Sequence, residues 1–266
     1  MHRRKLLLLI AVYAAIALLP VTDLNADYVC GDANEDGTLN VSDAVFLINH
    51  IFIGGPAPDS NCCGEFGFGT VTDMDGNLYF TVKIGNQWWM AENLKVTHYR
   101  NGDPIENVTE ASKWSTVDYG ACCIYDNEEV NRDTYGVLYN WYAVADKRDI
   151  APEGWHVPTE AELDTLIEYL GGCTVAGGKM KLEGTEYWNP PNVGATNETG
   201  FTGLPGGYRS HLGDFFEIGD FGEFWSSTEY NGDQAIAQGL HNASAAIYHG
   251  RIDKRFGMNV RCVKDQ

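Results

Sequence analysis

The first recognisable pattern in the chain is an unbroken apolar run. Residues 6–19 are 14 consecutive apolar residues that directly follow the basic segment His2–Lys5, and Pro20 ends the run. A membrane-spanning helix needs about 20 apolar residues, whereas basic residues followed by a shorter apolar stretch are typical of an export signal. We therefore expect residues 1–26 to be a signal peptide, with an uncleaved anchor helix as the alternative. The mature chain is then secreted or held at the cell surface, without a stable membrane span.

A second pattern occupies residues 27–60, where polar residues precede a stretch of helical periodicity. Gly54–Pro58 interrupts this stretch, and a glycine-rich segment continues to Gly69. We expect a small module at 27–60 and a linker at 61–70. The periodic residues predict one helix with a single apolar stripe: Val41, Ala44, Val45, Ile48 and Phe52.

A third pattern begins at Val71 and consists of short apolar or aromatic runs separated by glycine and asparagine. The turn sequences Asp75–Asn77 and Gly85–Asn86 lie between such runs, which predicts tight β-hairpins. Residues 71–266 are therefore expected to form one large module that is rich in β-structure.

Helical signals in this module are few. Thr159 and Glu162 have the spacing of a capping box, and an apolar stripe follows until Gly171–Gly172. A weaker helical stretch covers Tyr139–Ala145. One or two helices among short hairpins and long loops predict the α+β class.

The charge balance limits the classes of partner. The 266 residues include 37 acidic and 18 basic side chains, which gives a net charge of −19. Nucleic-acid binders neutralise phosphates with clustered lysine and arginine, so we expect no nucleic-acid partner. Cations are the natural partners of such a chain.

A candidate calcium loop lies in the small module. Gly37 occupies the sixth position of a twelve-residue EF-hand-type loop, where the backbone must turn sharply. Residues 27–60 also contain six acidic residues and no lysine or arginine, so the segment repels itself without a cation. We predict Ca²⁺ as the cofactor and expect calcium to fold this module. The candidate ligands are Asp32, Asn34, Asp36, Thr38 through its carbonyl, Asn40 and Asp43.

The segment from Gly31 to Phe52 resembles one dockerin type I repeat, because Asp43 replaces the glutamate of an ordinary EF-hand and a helix follows the loop. The resemblance implies docking onto a cohesin-like or other surface protein. Dockerins usually pair two repeats, however, and only one repeat is found in this sequence. A calcium-stapled linker without a partner is therefore the alternative.

The large module resembles a second family through several strings that occur in order. These are IGNQWWMAENL at 84–94, YGVLYNWYAV at 135–144, GWHVPTEAEL at 154–163, LPGGYR at 204–209, FWSST at 224–228 and VRCVK at 260–264. They look like the Fibrobacter succinogenes major paralogous domain. The resemblance implies a fold similar to C-type lectins and to the formylglycine-generating sulfatase-modifying proteins, in exported proteins without an established enzymatic activity.

Candidate catalytic groups are weak. The sulfatase-modifying resemblance directs attention to Cys262, which we expect to be a buried structural thiol. The family often carries a cysteine where Ala151 stands, so the resemblance implies that Cys262 pairs elsewhere or stays free. His156 and Glu160 could share a metal, but two ligands do not complete a zinc site. We expect no enzyme activity.

Aromatic residues make binding the favoured function. Seven tryptophans and 14 tyrosines suit stacking on sugar rings, although most single tryptophans belong to cores. We expect extracellular binding or adhesion to glycan or protein ligands. An enzyme of sulfatase-modifying or polysaccharide-degrading type with a docking tag is the alternative, and a surface assembly held by docking alone is a third possibility. The candidate exposed contacts are Trp188, Asn189, Tyr208 and Arg209.

Overall fold

The computed structural model describes residues 67–266, which form one compact unit from Phe68 to the C-terminus. The predicted signal peptide, the predicted small module with its six candidate calcium ligands and its helix, and most of the predicted linker lie outside the described residues. The strands are β1 Phe68–Thr72, β2 Leu78–Ile84, β3 Gln87–Met90, β4 Glu106–Asn107, β5 Ala121–Cys123, β6 Leu138–Tyr139, β7 Trp155–His156, β8 Gly206–Arg209, β9 Phe215–Ile218, β10 Phe221–Glu229, β11 Gln234–His241, β12 Tyr248–Asp253 and β13 Val263–Lys264.

The first sheet has the strand order β1-β2-β3-β13-β7. Both predicted hairpins are confirmed in it. Asp73 accepts hydrogen bonds from the backbone amides of Asp75 and Asn77, at 3.0 and 2.9 Å, and Gly76 adopts the positive φ of +82° that the turn requires. Strand β1 begins at Phe68, so the last three residues of the predicted linker already belong to this sheet.

The capping-box helix forms as predicted. The Thr159 hydroxyl accepts from the Glu162 amide, the Glu162 carboxylate accepts from the Thr159 amide, and Gly171 and Gly172 have positive φ just after the helix. The weaker stretch contains a shorter helix that Asn140 caps. The described residues contain α1 Ala111–Trp114, α2 Glu129–Tyr135, α3 Trp141–Val144, α4 Glu160–Tyr169 and α5 Cys173–Met180.

The expectation of one or two helices is therefore wrong, most clearly for α5. Gly177 and Gly178 lower the helix propensity of this segment, so the sequence does not predict a helix there. Tertiary contacts explain why glycine stands at both positions. A Cβ on Gly178 would lie 2.4 Å from the Gly194 carbonyl oxygen, and a Cβ on Gly177 would lie 2.6 Å from the Ala246 carbonyl oxygen. The glycines let this helix approach other backbone segments closely.

A second sheet carries the candidate site and has the strand order β12-β11-β10-β8-β9, while β4, β5 and β6 form a small third sheet. Strands β10, β11 and β12 are antiparallel, whereas β8 runs parallel to β10. Helices α4 and α5 contact strands β10 and β11 of this sheet. The mixture of mainly antiparallel sheets with a few helices agrees with the predicted α+β class. No helix within residues 67–266 is long and apolar enough to cross a bilayer.

Candidate ligand-binding face

Side chains from neighbouring strands line up across the second sheet. In the antiparallel pairs Phe216 lies opposite Tyr208, Glu223 opposite Gly239, and Gly239 opposite Tyr248. Opposed residues of an antiparallel pair project to the same face. We call the set Phe216, Tyr208, Glu223, Gly239 and Tyr248 the aromatic row.

Parallel pairing joins the two halves of the row. Gly207 of β8 pairs with Gly222 of β10, which brings the next residues, Tyr208 and Glu223, side by side. The negative charge of Glu223 acts on Tyr208 and contributes, after burial, to the raised pKa of that hydroxyl. The row is therefore continuous from β9 to β12.

Further aromatic rings extend the row at both ends. The Tyr208 ring centroid lies 5.8 Å from those of Phe216 and Phe256. At the other end Phe221 lies 4.2 Å from His241, and Tyr248 lies 5.8 Å from His241. Phe216 is 44% exposed and Tyr248 is 47% exposed, so the outermost rings of the row remain accessible to a ligand.

A single carboxyl group stands between these rings. Glu223 is partly buried, and its side chain makes no hydrogen bond with any other residue between 67 and 266. Gly239 opposite has no side chain to cover the carboxyl, and a Cβ there would make an ordinary van der Waals contact, 3.5 Å from Glu223 Cγ. Burial, with a smaller contribution from nearby Glu217, raises the pKa of the Glu223 carboxyl to about 7. An unpaired carboxyl costs stability when it ionises, and such groups concentrate at functional sites.

The raised pKa of the Glu223 carboxyl predicts that the free energy of unfolding depends on pH. Its folded pKa is about 7 and its unfolded pKa is about 4.3, so wild-type stability falls as the pH rises from about 4 through 7. We expect Glu223→Gln to raise the free energy of unfolding by about 1–3 kcal/mol near pH 8. The gain should shrink toward zero near pH 4. Urea unfolding at several pH values measures it, and a pH-independent difference would contradict the assignment.

The four residues predicted as exposed ligand contacts do not form one site in the structure. Tyr208 is a member of the aromatic row. Asn189 is exposed, and its side chain donates to Asp220 Oδ1 at 3.1 Å, beside the turn that joins β9 and β10. The expectation that Trp188 is exposed is wrong, because it is 1% exposed and its indole N–H donates to the Gly203 carbonyl. The structure does not bring Trp188 into the row.

Arg209 is also buried, with no exposed surface, so the expected exposed contact is corrected. Its guanidinium lies 4.5 Å from the Trp114 ring centroid and 4.7 Å from that of Phe215. The same group donates hydrogen bonds to three backbone carbonyls, which explains why a cation is tolerated there. The acceptors are the carbonyl oxygens of Val108, Thr109 and Gly213.

The two candidate metal ligands of the capping region have other partners. His156 Nδ1 lies 2.6 Å from Asp265 Oδ1, and its Nε2 lies 2.8 Å from Glu162 Oε1. Glu160 instead pairs with His249 at 3.1 Å. No group of three or more residues that could hold a metal ion occurs in the described part of the chain. His156 and Glu160 therefore do not form a shared site there.

The His156 contacts predict a pH-dependent stabilisation. Burial lowers the pKa of the imidazole, but hydrogen bonds to Asp265 and Glu162 outweigh it and the pKa is raised. The stabilisation is therefore complete below the unfolded pKa of about 6.5 and is lost as the pH rises through the folded value. We expect His156→Gln to lower Tm by about 2–4 °C near pH 5.5 and by less near pH 8.5. Equal losses at both pH values would contradict this contribution.

Cys262 is buried, as expected. It has no exposed surface and is a free thiol in the main core, and burial raises its pKa. The low thiolate content that follows from a raised pKa makes such a thiol unreactive.

Comparison with known families gives one match. The model of the Fibrobacter succinogenes major domain matches residues 82–264, and the chain therefore belongs to this family. No curated protein and no solved structure matches the chain.

Proposed function

We propose that the chain is an exported, non-catalytic protein whose large module binds saccharides along the aromatic row. The observation that carries the proposal is the row itself, in which accessible rings flank an unpaired carboxyl. Aromatic faces stack on the C–H faces of sugar rings, and a carboxylate accepts hydrogen bonds from sugar hydroxyls. The row therefore offers stacking and hydrogen-bonding groups on one face of the sheet.

The dimensions of the row suit an oligosaccharide. Strands in a sheet lie about 4.8 Å apart, so five strands separate the outer rings by at most roughly 19 Å. That length accommodates a short oligosaccharide segment. A ligand of this length could contact Phe216 and Tyr248 at once, with Glu223 between them.

A lectin-like fold and a calcium-binding repeat complete the proposal. The loop that contains Asp32 and Asp36 has the EF-hand spacing of oxygen ligands, and the helical stripe after it could dock on a cohesin-like partner or pack as a stapled linker. We propose that calcium serves this small module and that saccharide recognition by the large module does not require it.

Two observations support the non-catalytic role and the calcium independence of the large module, respectively. Cys262 is buried and has a raised pKa, which disfavours thiol chemistry of the sulfatase-modifying kind. Ser226 and Ser227, which follow Trp225 where a C-type lectin would carry calcium ligands, bond within the protein. The Ser226 hydroxyl accepts from the Thr228 amide, and the Ser227 hydroxyl donates to the Pro158 carbonyl.

The proposal is tested by a glycan array probed with the mature chain, with calcium and with EDTA. We expect the same glycans to be bound under both conditions, and by an Asp32→Ala, Asp36→Ala double variant. Calorimetric calcium titration of that variant should show the loss of one site. An array that stays blank with and without calcium would contradict saccharide binding, and glycan binding abolished by EDTA would contradict the division of roles.

A further inference from the structure

A separate groove lies on the opposite face of the same sheet. Its volume is about 510 Å³, within the usual range for small-ligand sites. Ile236 and Arg251 oppose each other across β11 and β12 and belong to this face, whereas Gly239 and Tyr248 belong to the aromatic row. The lining residues are Glu160, Tyr230, Ile236, His249, Gly250 and Arg251.

Arg251 distinguishes this groove. Between residues 67 and 266 every other arginine donates from its guanidinium to a carboxylate, an amide oxygen or a backbone carbonyl. The Arg251 guanidinium has no such acceptor among the described residues, although the chain carries about twice as many acidic as basic side chains. It lies over the Tyr230 ring, with its central carbon 4.1 Å from the centroid, and this cation–π contact leaves its N–H groups free to donate to a ligand.

The rest of the groove narrows the chemistry of the ligand. A guanidinium edge pairs with a carboxylate through two parallel hydrogen bonds. The Glu160–His249 pair, 3.1 Å apart, offers a donor and acceptors for hydroxyl groups. Glu160 and the net charge of −19 oppose a ligand with several negative charges, such as an acidic peptide. An otherwise neutral, hydroxyl-rich ligand with one carboxylate can pair with the guanidinium and avoids the repulsion that a ligand with several negative charges would meet.

We propose that this groove binds the uronic acid of a saccharide that carries a single carboxylate, with Arg251 as its anchor. The carboxylate pairs with the guanidinium edge, and the Glu160–His249 pair contacts the sugar hydroxyls. This site is independent of the aromatic row, so either can exist without the other.

Calorimetric titration of the full mature chain tests the proposal, with aldotetraouronic acid as the probe. This probe is a xylotriose that carries one glucuronate, and neutral xylotetraose is the matched control. We expect saturable binding of the acidic probe and at least about tenfold weaker binding of the neutral one. Arg251→Gln should weaken binding of the acidic probe by a similar factor. Arg251→Lys should bind this probe more tightly than Arg251→Gln but more weakly than the wild type.

Further variants test whether the acidic probe binds in this groove. Lys83→Gln removes an exposed charge from the first sheet and should leave the affinity unchanged. The Phe216→Ala, Tyr248→Ala double variant of the aromatic row should also leave it unchanged. Near-ultraviolet circular dichroism checks that Arg251→Gln remains folded. The proposal is overturned by equal affinity for the two probes, by unchanged affinity in folded Arg251→Gln, or by tighter binding of hexaglutamate.

Discussion

Arg209→Met is expected to lower the free energy of unfolding by about 3–4 kcal/mol. The substitution removes a fully buried guanidinium and leaves the carbonyls of Val108 and Gly213 without their donor, while the Thr109 carbonyl keeps the Asn127 side-chain amide as a donor at 3.3 Å. It also removes the cation that lies between the Trp114 and Phe215 rings. Tryptophan fluorescence in urea measures the loss in the large module, because all seven tryptophans lie between residues 88 and 225.

The same substitution at Arg251 provides the matched control. That arginine is exposed and its guanidinium makes no hydrogen bond with a described residue, so Arg251→Met should change stability by no more than about 0.5 kcal/mol. An unchanged free energy of unfolding in Arg209→Met would contradict a structural role and favour a ligand-binding one. The large loss predicted here would assign Arg209 to holding the β8–β9 hairpin against the loop before α1.

Trp225→Ala is the second substitution that we expect to lower the free energy of unfolding strongly. Trp225 has no exposed surface, belongs to the main core cluster, and its indole N–H donates to the Tyr139 carbonyl at 2.8 Å. Truncation of a buried tryptophan to alanine costs about 3–5 kcal/mol through lost contacts and a residual cavity. We expect a loss of that size in urea unfolding.

Trp225→Phe separates the hydrogen bond from the packing. It retains an aromatic ring but removes the indole donor from the Tyr139 carbonyl, which still accepts from the Met258 amide at 3.0 Å, so a smaller loss of about 0.5–1.5 kcal/mol is expected. Equal losses for the two variants would show that ring packing contributes little at this position, contrary to the burial of Trp225.

Local features of the fold could be predicted from the sequence because their causes are local. The Asp73–Asn77 turn and the Thr159–Glu162 capping box depend on residues within four positions of one another. The place of strand β13 in the sheet could not be predicted in the same way. It inserts between β3 and β7, which come from distant parts of the chain, and a two-residue strand carries no period of its own.

The site is predictable only in part for a related reason. The polar residues that follow Tyr208 in the sequence predict its exposure, and it is partly exposed, but the same pattern wrongly predicts exposure for Trp188 and Arg209. Burial depends on what packs against a side chain, and Arg209 is covered by residues about 100 positions earlier in the chain. Glu223 escapes prediction because a single glutamate among 37 acidic residues carries no signal until strand pairing places it between two aromatic rings.

The signal for the rest of the row is present but weak. Phe216 and Tyr248 both occur in strands whose neighbouring residues are largely exposed or partly exposed, a sign that their rings do not serve the core. Only the register of β8, β9, β10, β11 and β12 shows that they lie on one face. Register follows from pairing across the sheet and not from any one strand.

Affinity electrophoresis in native gels tests the saccharide-binding row most directly. The protein is run in gels that contain arabinoxylan, xyloglucan, mixed-linkage β-glucan or galactomannan, beside the Phe216→Ala, Tyr248→Ala double variant. Tyr169→Ala, which truncates a 66% exposed aromatic residue on α4, is the matched control. We predict that at least one polysaccharide retards the wild type and Tyr169→Ala equally, and that the double variant migrates freely. Retardation that survives in the double variant, or is absent from the wild type in all four gels, would contradict saccharide binding along the aromatic row.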